Sequence, residues 1–285
     1  MKTRILLVVV VITFSLLKSY SQTRFVKVND TIRQFTSYQS TKIKENEKAP
    51  LLLNFHGSGM TALEHMMYTK TNQIAEEKGF IVVYPQGINN EWNVGFGQDY
   101  DNGTKDIEFI NVLIEKLIKN YPIDSTKIYA TGLSRGGFFV QRLATELPNK
   151  IKGFVSVGAP MPNEVKERII TNKPVKAMYV HGTADEIVKL DGKEGAYLSV
   201  EESISYWKTR NNIKEISKTK TVDNIDDGTS VTIINYGSVA QLHIENGGHT
   251  WPSADPFNVG FPLGKTTQDI DFNTLLYQFL FHSIN

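Results

Sequence analysis

Ser134 lies in Gly132-Leu133-Ser134-Arg135-Gly136-Gly137, a G-x-S-x-G motif between an apolar run at 127–131 and a helical pattern at 135–147. In that setting the flanking glycines let the chain turn sharply from strand to helix, with the serine hydroxyl at the apex. A tight turn with a helix-capping serine would use the same residues. The strand before and the helix after favour a nucleophile instead. A serine hydroxyl needs a base to take its proton at neutral pH. Of the six histidines, His249 in Gly247-Gly248-His249-Thr250-Trp251-Pro252 follows a strand at 239–245 and precedes the last helix, where such a base belongs. His56 shapes the loop after an earlier strand, His65 and His282 fall in helical stretches, and His243 is inside a strand. His181 precedes the acid. That acid is Asp185 in His181-Gly182-Thr183-Ala184-Asp185, between serine and histidine in chain order, with Glu186 a less well-placed neighbour. Asp185 would hold the tautomer of His249 and stabilise its imidazolium. The backbone N–H groups of Arg135 and of Ser58, in His56-Gly57-Ser58-Gly59, are the expected donors to an oxyanion.

These groups need a scaffold that brings strand ends together. Apolar, β-branched runs at 51–55, 80–84, 127–131, 153–157 and 175–180 are bounded by Gly or Pro and read as strands buried on both faces. Helical patterns lie between them. Ile110, Leu113, Ile114, Leu117, Ile118 and Tyr121 share one face. Further helices are expected at 135–147, 200–211 and 269–283. The alternation predicts an α/β fold with a mostly parallel sheet and helices on both faces. Residues 25–38 read as one or two antiparallel edge strands. Ligands of such sheets bind beyond the carboxyl ends of the strands, where Ser134, Asp185 and His249 stand. No large lid domain fits between Ser134 and Asp185.

At the N-terminus, Lys2 and Arg4 precede an apolar run at 5–17 and then Ser19-Tyr20-Ser21. This is the pattern of a secretory signal peptide, and the run is short for a membrane span. Cleavage after about Ser21 removes Lys2, Arg4 and Lys18 and no acid, taking the formal charge from +1 to −2. The expected organisation is therefore a signal peptide at 1–21 and one domain at 22–285, in a secreted or periplasmic protein. Hydrophobic residues make up 40% and charged ones 21%, so the chain is globular rather than disordered. The near-neutral charge gives a nucleic-acid partner no basic face. The absence of cysteine excludes disulfides and thiol nucleophiles.

Further stretches extend the pattern: Asn54-Phe55-His56-Gly57, Val83-Tyr84-Pro85-Gln86-Gly87, Glu91-Trp92-Asn93-Val94-Gly95 and Asp106-Ile107-Glu108-Phe109-Ile110. With the serine, aspartate and histidine motifs, in this order, the chain resembles the α/β-hydrolase superfamily. Within it, the chain is similar to the secreted poly(3-hydroxybutyrate) depolymerase/feruloyl esterase group, the LpqC-like, carbohydrate esterase family 1-type esterases. The resemblance implies Ser134, Asp185 and His249 as the triad, in agreement with the reading of the residues, and hydrolysis of carboxylic esters. It departs from the group at Ser58, where many relatives carry a nearby cysteine, at Arg135, where Asn or Ala is frequent, and at Glu186, where Pro is frequent.

The expected function is a serine esterase acting on feruloyl or acetyl esters of plant cell-wall polysaccharide (xylan). A polyhydroxybutyrate depolymerase with the same triad is the nearest alternative. A secreted binding module without catalysis would lack a triad member, and none is missing. There is no His-x-His pair and no H-E-x-x-H, so no metal or other cofactor is expected. The expected partner is an ester-bearing polymer or its oligomers, met by a monomer without a membrane anchor. Residues 86–104 and 253–268 are long loops of the kind that carry function. Trp92 and Trp251, in or beside them, either stack on a phenolic ring or sugar or brace their own loops. Trp207 is assigned to the core, and Asp106 to a helix cap.

Overall fold

The computed structural model of the chain describes residues 21–168, 173–214, 218–256, 260 and 262–282. The expected signal peptide lies outside them except for Ser21, which opens the first strand. In chain order the elements are β1 (Ser21–Val28), β2 (Thr31–Gln39), β3 (Ala49–Phe55), α1 (Ala62–Thr69), α2 (Thr71–Lys78), β4 (Ile81–Pro85), α3 (Asp106–Asn120), β5 (Ile123–Leu133), α4 (Arg135–Glu146), β6 (Ile151–Val157), α5 (Asn163–Glu167), β7 (Lys176–Gly182), α6 (Val200–Arg210), β8 (Lys218–Val222), β9 (Ser230–Asn235), β10 (Val239–Glu245) and α7 (Phe272–Phe281).

The strands form a ten-stranded sheet in the order β1-β2-β4-β3-β5-β6-β7-β10-β9-β8. Its centre, from β4 through β3, β5, β6 and β7 to β10, is parallel. Antiparallel hairpins flank it: β1–β2 on one side and β9–β8 on the other. The central runs lack polar alternation because both faces are covered, as in β4, where all five residues are buried. Successive residues point to opposite faces, so Leu51, Leu53 and Phe55 join one core while Leu52 joins the other. The first core packs against α3, α4 and α6, and the second against α1, α2 and α7. No lid domain interrupts the sheet among the described residues.

Two of the described helices begin where the sequence provides a capping box. Thr61 with Glu64 starts α1, and Ser199 with Glu202 starts α6; each pair satisfies end N–H groups reciprocally. Asp106 differs from its expected role. It is the first residue of α3 and makes no cap. Instead it is buried against Arg33 (2.8 Å) and accepts from Asn93 N–H (2.9 Å) and Thr104 Oγ1 (2.7 Å). With Arg142, which donates to Asn93 O and Tyr100 O, it anchors the 86–104 loop from below. The parallel register leaves the carboxyl ends of β3, β5, β6, β7 and β10 side by side, and every residue discussed next follows one of them or leans on one that does.

Candidate active site

Ser134 joins β5 to α4 in a strained conformation (φ 54°, ψ −120°) that aims its side chain away from the sheet. It occupies the N-cap position of α4, yet its side chain makes no capping hydrogen bond, leaving the hydroxyl for other work. Gly136 makes this turn possible. A Cβ there would lie 2.2 Å from Phe55 O and 2.7 Å from His56 O, so only glycine lets α4 start so close to the end of β3. Ser134 N–H donates to Val157 O (2.8 Å), tying the elbow to β6.

The next residue, Gly158, has φ +60°, and a Cβ on it would lie 2.9 Å from the His249 ring. Its bare backbone makes room for that imidazole. His249 reaches the same place from β10, its loop held by His249 N–H to Leu263 O (2.6 Å) and Gly248 N–H to Lys265 O (2.8 Å). Asp185 arrives from β7, and Ala184 N–H donates to Gly247 O (2.9 Å), joining the two loops directly. His249 Nδ1–H donates to Asp185 Oδ2 at 2.7 Å, while Asp185 Oδ1 accepts from the N–H groups of Ile187 and Val188, both at 2.9 Å. Burial alone would raise the Asp185 pKa. The His249 hydrogen bond and charge, the charge of His181 and the Val188 N–H outweigh it and hold the carboxyl below its ordinary value.

The tautomer follows. Neutral His249 carries its proton on Nδ1, so Nε2 is a basic lone pair; this atom is buried and has no hydrogen-bond partner. A buried acceptor held in one orientation next to a serine elbow can take a proton from an attacking hydroxyl. His181 was not assigned a role by the sequence beyond ending its strand. It lies 3.4 Å from Asp185 Oδ2 and donates to Val188 O (2.9 Å), bracing the acid's loop, and burial keeps its pKa below the ordinary value.

The residues expected to donate to an oxyanion, Ser58 and Arg135, line the same cavity as Ser134. Arg135 N–H is at the first turn of α4, at the positive end of its dipole. Ser58 follows β3 in an exposed turn, and Gly57 lies against Ser134, 3.5 Å separating its Cβ position from Ser134 Cβ. His56 holds this turn. Its Nδ1–H donates to Gly57 O (2.8 Å), and its Nε2 accepts from Gly87 N–H (3.0 Å). Burial lowers its pKa to about 4.

A cavity of about 420 Å³ opens beside Ser134, lined among others by Ser58, Glu91, Gln98, Arg135, Ile187 and Lys193. Phe96, Phe138 and Tyr197 form one wall, with Phe96 edge-on to Phe138 (5.0 Å between centroids) and Phe138 5.1 Å from Tyr197. Trp92 and Trp251 do not line it. Both are fully buried, so neither ring is offered to a substrate. Trp92 stacks on Phe139 (5.0 Å) and donates Nε1–H to His56 O (3.1 Å); Trp251 packs edge-on to Phe272 (4.9 Å). Of the two roles open to them, the structure gives them bracing. Trp207 is in the core as expected. The 86–104 loop does reach the site, through Glu91, Phe96 and Gln98. Of these three only Glu91 falls in a stretch the sequence singles out, because nothing in the spacing of a long loop marks which of its side chains turn inward. Among the described residues, no group of three His, Cys, Asp or Glu could hold a metal, and no helix is long and apolar enough to cross a membrane.

A parallel sheet with a serine elbow after β5, an aspartate after β7 and a histidine after β10 defines an α/β-hydrolase fold. The chain belongs to the phospholipase/carboxylesterase family, whose profile matches residues 37–218. It is 27% identical over 215 residues to a bifunctional acetylxylan esterase/xylanase of Neocallimastix patriciarum, covering 73% of this chain and 30% of that protein. To a feruloyl esterase B of Piromyces equi it is 26% identical over 183 residues, covering 61% of this chain and 33% of the relative. The chain thus spans about a third of the length of each of these two curated relatives. An acetyl xylan esterase structure from Aspergillus awamori shares the fold at a TM-score of 0.66 with 14% identity, over 91% of this chain and 98% of that one.

Proposed function

We propose that the protein is a secreted serine carboxylic ester hydrolase acting on feruloyl or acetyl esters of plant cell-wall xylan, with Ser134, His249 and Asp185 as its triad. The observation that carries the reading is the Asp185–His249 hydrogen bond, which leaves a basic Nε2 at the strand ends where Ser134 is displayed. Ser134 Oγ attacks the ester carbonyl as His249 Nε2 takes its proton, forming a tetrahedral intermediate. The oxyanion is received by the N–H groups of Arg135 and Ser58. Collapse expels the sugar alcohol, which takes the proton from His249, and leaves an acyl group on Ser134. Water, deprotonated by His249, then releases the acid and restores the serine. The similarity to acetylxylan and feruloyl esterases supports the substrate class. The aromatic wall of Phe96, Phe138 and Tyr197 suits a feruloyl ring, and the apolar run before Ser21 suits export.

The test is release of ferulate from methyl ferulate and of acetate from acetylated xylo-oligosaccharides, with Ser134→Ala as control. Turnover of at least one, falling about 10⁴-fold or more in a folded Ser134→Ala protein, is expected. Preference for hydroxybutyrate oligomers over both would move the same triad to polyester degradation. Full activity of Ser134→Ala would overturn the mechanism.

A further inference from the structure

The two proposed oxyanion donors come from different parts of the fold, Ser58 from the turn after β3 and Arg135 from the start of α4. Their side chains converge on one carboxylate. Glu91 Oε1 accepts from Ser58 Oγ, and Glu91 Oε2 lies 3.2 Å from Arg135 Nε. All three residues line the cavity beside Ser134. Glu91 is itself held firmly: Glu91 N–H donates to Ile88 O (3.0 Å), and the adjoining Asn90 is tied to Gly59 in both directions, Gly59 N–H to Asn90 O (3.0 Å) and Asn90 Nδ2 to Gly59 O (3.2 Å). Arg135 is fixed independently of Glu91, by Nε to Trp92 O (3.0 Å) and a terminal NH₂ to Phe96 O (2.8 Å), with its guanidinium 4.8 Å over the Phe96 ring.

We infer that Glu91 is a positioning residue that clamps the two halves of the oxyanion hole to each other, setting the spacing between the Ser58 and Arg135 N–H groups. The inference rests on the esterase reading above and concerns the same site. Ser58 is exposed, and while His56 and Asn90 hold the residues on either side of it, its own side chain is tied through Glu91. Arg135 is the anchored half, since its backbone is the first turn of a helix. A carboxylate can accept from the Ser58 hydroxyl with one oxygen and form an ion pair with the Arg135 guanidinium through the other, since the Nε–H of Arg135 is already donated to Trp92 O. Oxyanion donors stabilise the transition state only when aimed in advance at the developing charge, so loosening one of them lowers kcat without weakening ground-state binding.

The experiment compares Glu91→Gln and Ser58→Ala with wild type on methyl ferulate and p-nitrophenyl acetate, with a phenylboronic acid inhibitor as a tetrahedral mimic. Gln keeps the shape and an acceptor for the Ser58 hydroxyl but removes the negative charge that pairs with the Arg135 guanidinium. Ser58→Ala removes the tethering hydroxyl and keeps the N–H. The expected result for both variants is kcat lower by about 10-fold or more, KM within about 2-fold of wild type, and boronate affinity weakened in step with kcat. Thermal midpoints near wild type would separate this from general loss of structure. Unchanged kcat and boronate affinity in both variants would overturn the clamp, as would a loss confined to KM. Wild-type turnover in the same assay tests the esterase reading, whereas the ratio of variant to wild type tests the clamp.

Discussion

His56 and His249 are both buried at the carboxyl ends of strands, yet their ring nitrogens are committed differently. His56 uses both, donating to Gly57 O and accepting from Gly87 N–H, so it holds the Ser58 turn and has no lone pair left for chemistry. His249 uses only Nδ1 and keeps a free Nε2. The sequence separated the two by position after their strands, and the structure supplies the reason in hydrogen bonds. Burial pushes the His56 pKa down to about 4 against 6.5 for the free side chain, so the unfolded chain binds this proton more readily than the folded one. The stability carried by neutral His56 is fully present above pH 6.5 and is lost as the pH falls toward 4, amounting to about 3 kcal/mol. Urea unfolding midpoints should therefore decline from pH 7 to pH 4. His56→Gln should flatten that slope, and an equally steep slope in the variant would assign it to other groups.

At the scale of elements, two features that no single segment reveals hold the site open. One is the close approach of α4 to the end of β3 at the elbow. Gly136→Ala forces a Cβ into the Phe55 carbonyl, and the expected outcome is a loss of about 1–3 kcal/mol in unfolding free energy with a large fall in kcat. Calorimetry together with ester turnover would check it, and a fully active, fully stable variant would mean that the elbow can relax. The other is the buried Arg33–Asp106 pair, which links β2 to α3 and, through Asn93 N–H, to the loop carrying Glu91 and Phe96. Asp106→Asn strands a buried guanidinium, so stability should fall by about 3–5 kcal/mol, measured by denaturant unfolding. The strands from β3 to β7 were legible in the sequence because both-face burial writes itself as uninterrupted apolar runs. The strands β8 and β9 were not: β8 reads Lys-Thr-Lys-Thr-Val and is largely exposed, so no hydrophobic period marks it. β9 is placed by antiparallel pairing to β10, and β8 by pairing to β9 in turn.

Across the whole molecule, the sheet divides the interior into two cores, and the tryptophans are distributed between them: Trp92 and Trp207 in one, Trp251 in the other. The wall of the cavity beside Ser134 and the first core share residues, since Phe138 belongs to both and its neighbour Phe139 stacks on Trp92. Trp92→Ala should therefore cost about 3–5 kcal/mol of stability, seen as a lower unfolding midpoint, and any loss of activity should follow from that. A variant of unchanged stability with a raised KM would return Trp92 to the role of a substrate contact.

The sequence by itself determined the α/β alternation, the order Ser134, Asp185, His249 and the station of each just after a strand. These are local properties, written in periodicity and in short motifs. Only the tertiary structure decided which side chains share a space. Glu91 meets Ser58 and Arg135, Arg33 meets Asp106, and Trp92 turns into the core while Phe96 turns to the cavity. Each of these contacts joins residues tens of positions apart, whose proximity comes from strand order and helix packing and leaves no spacing in the chain to read.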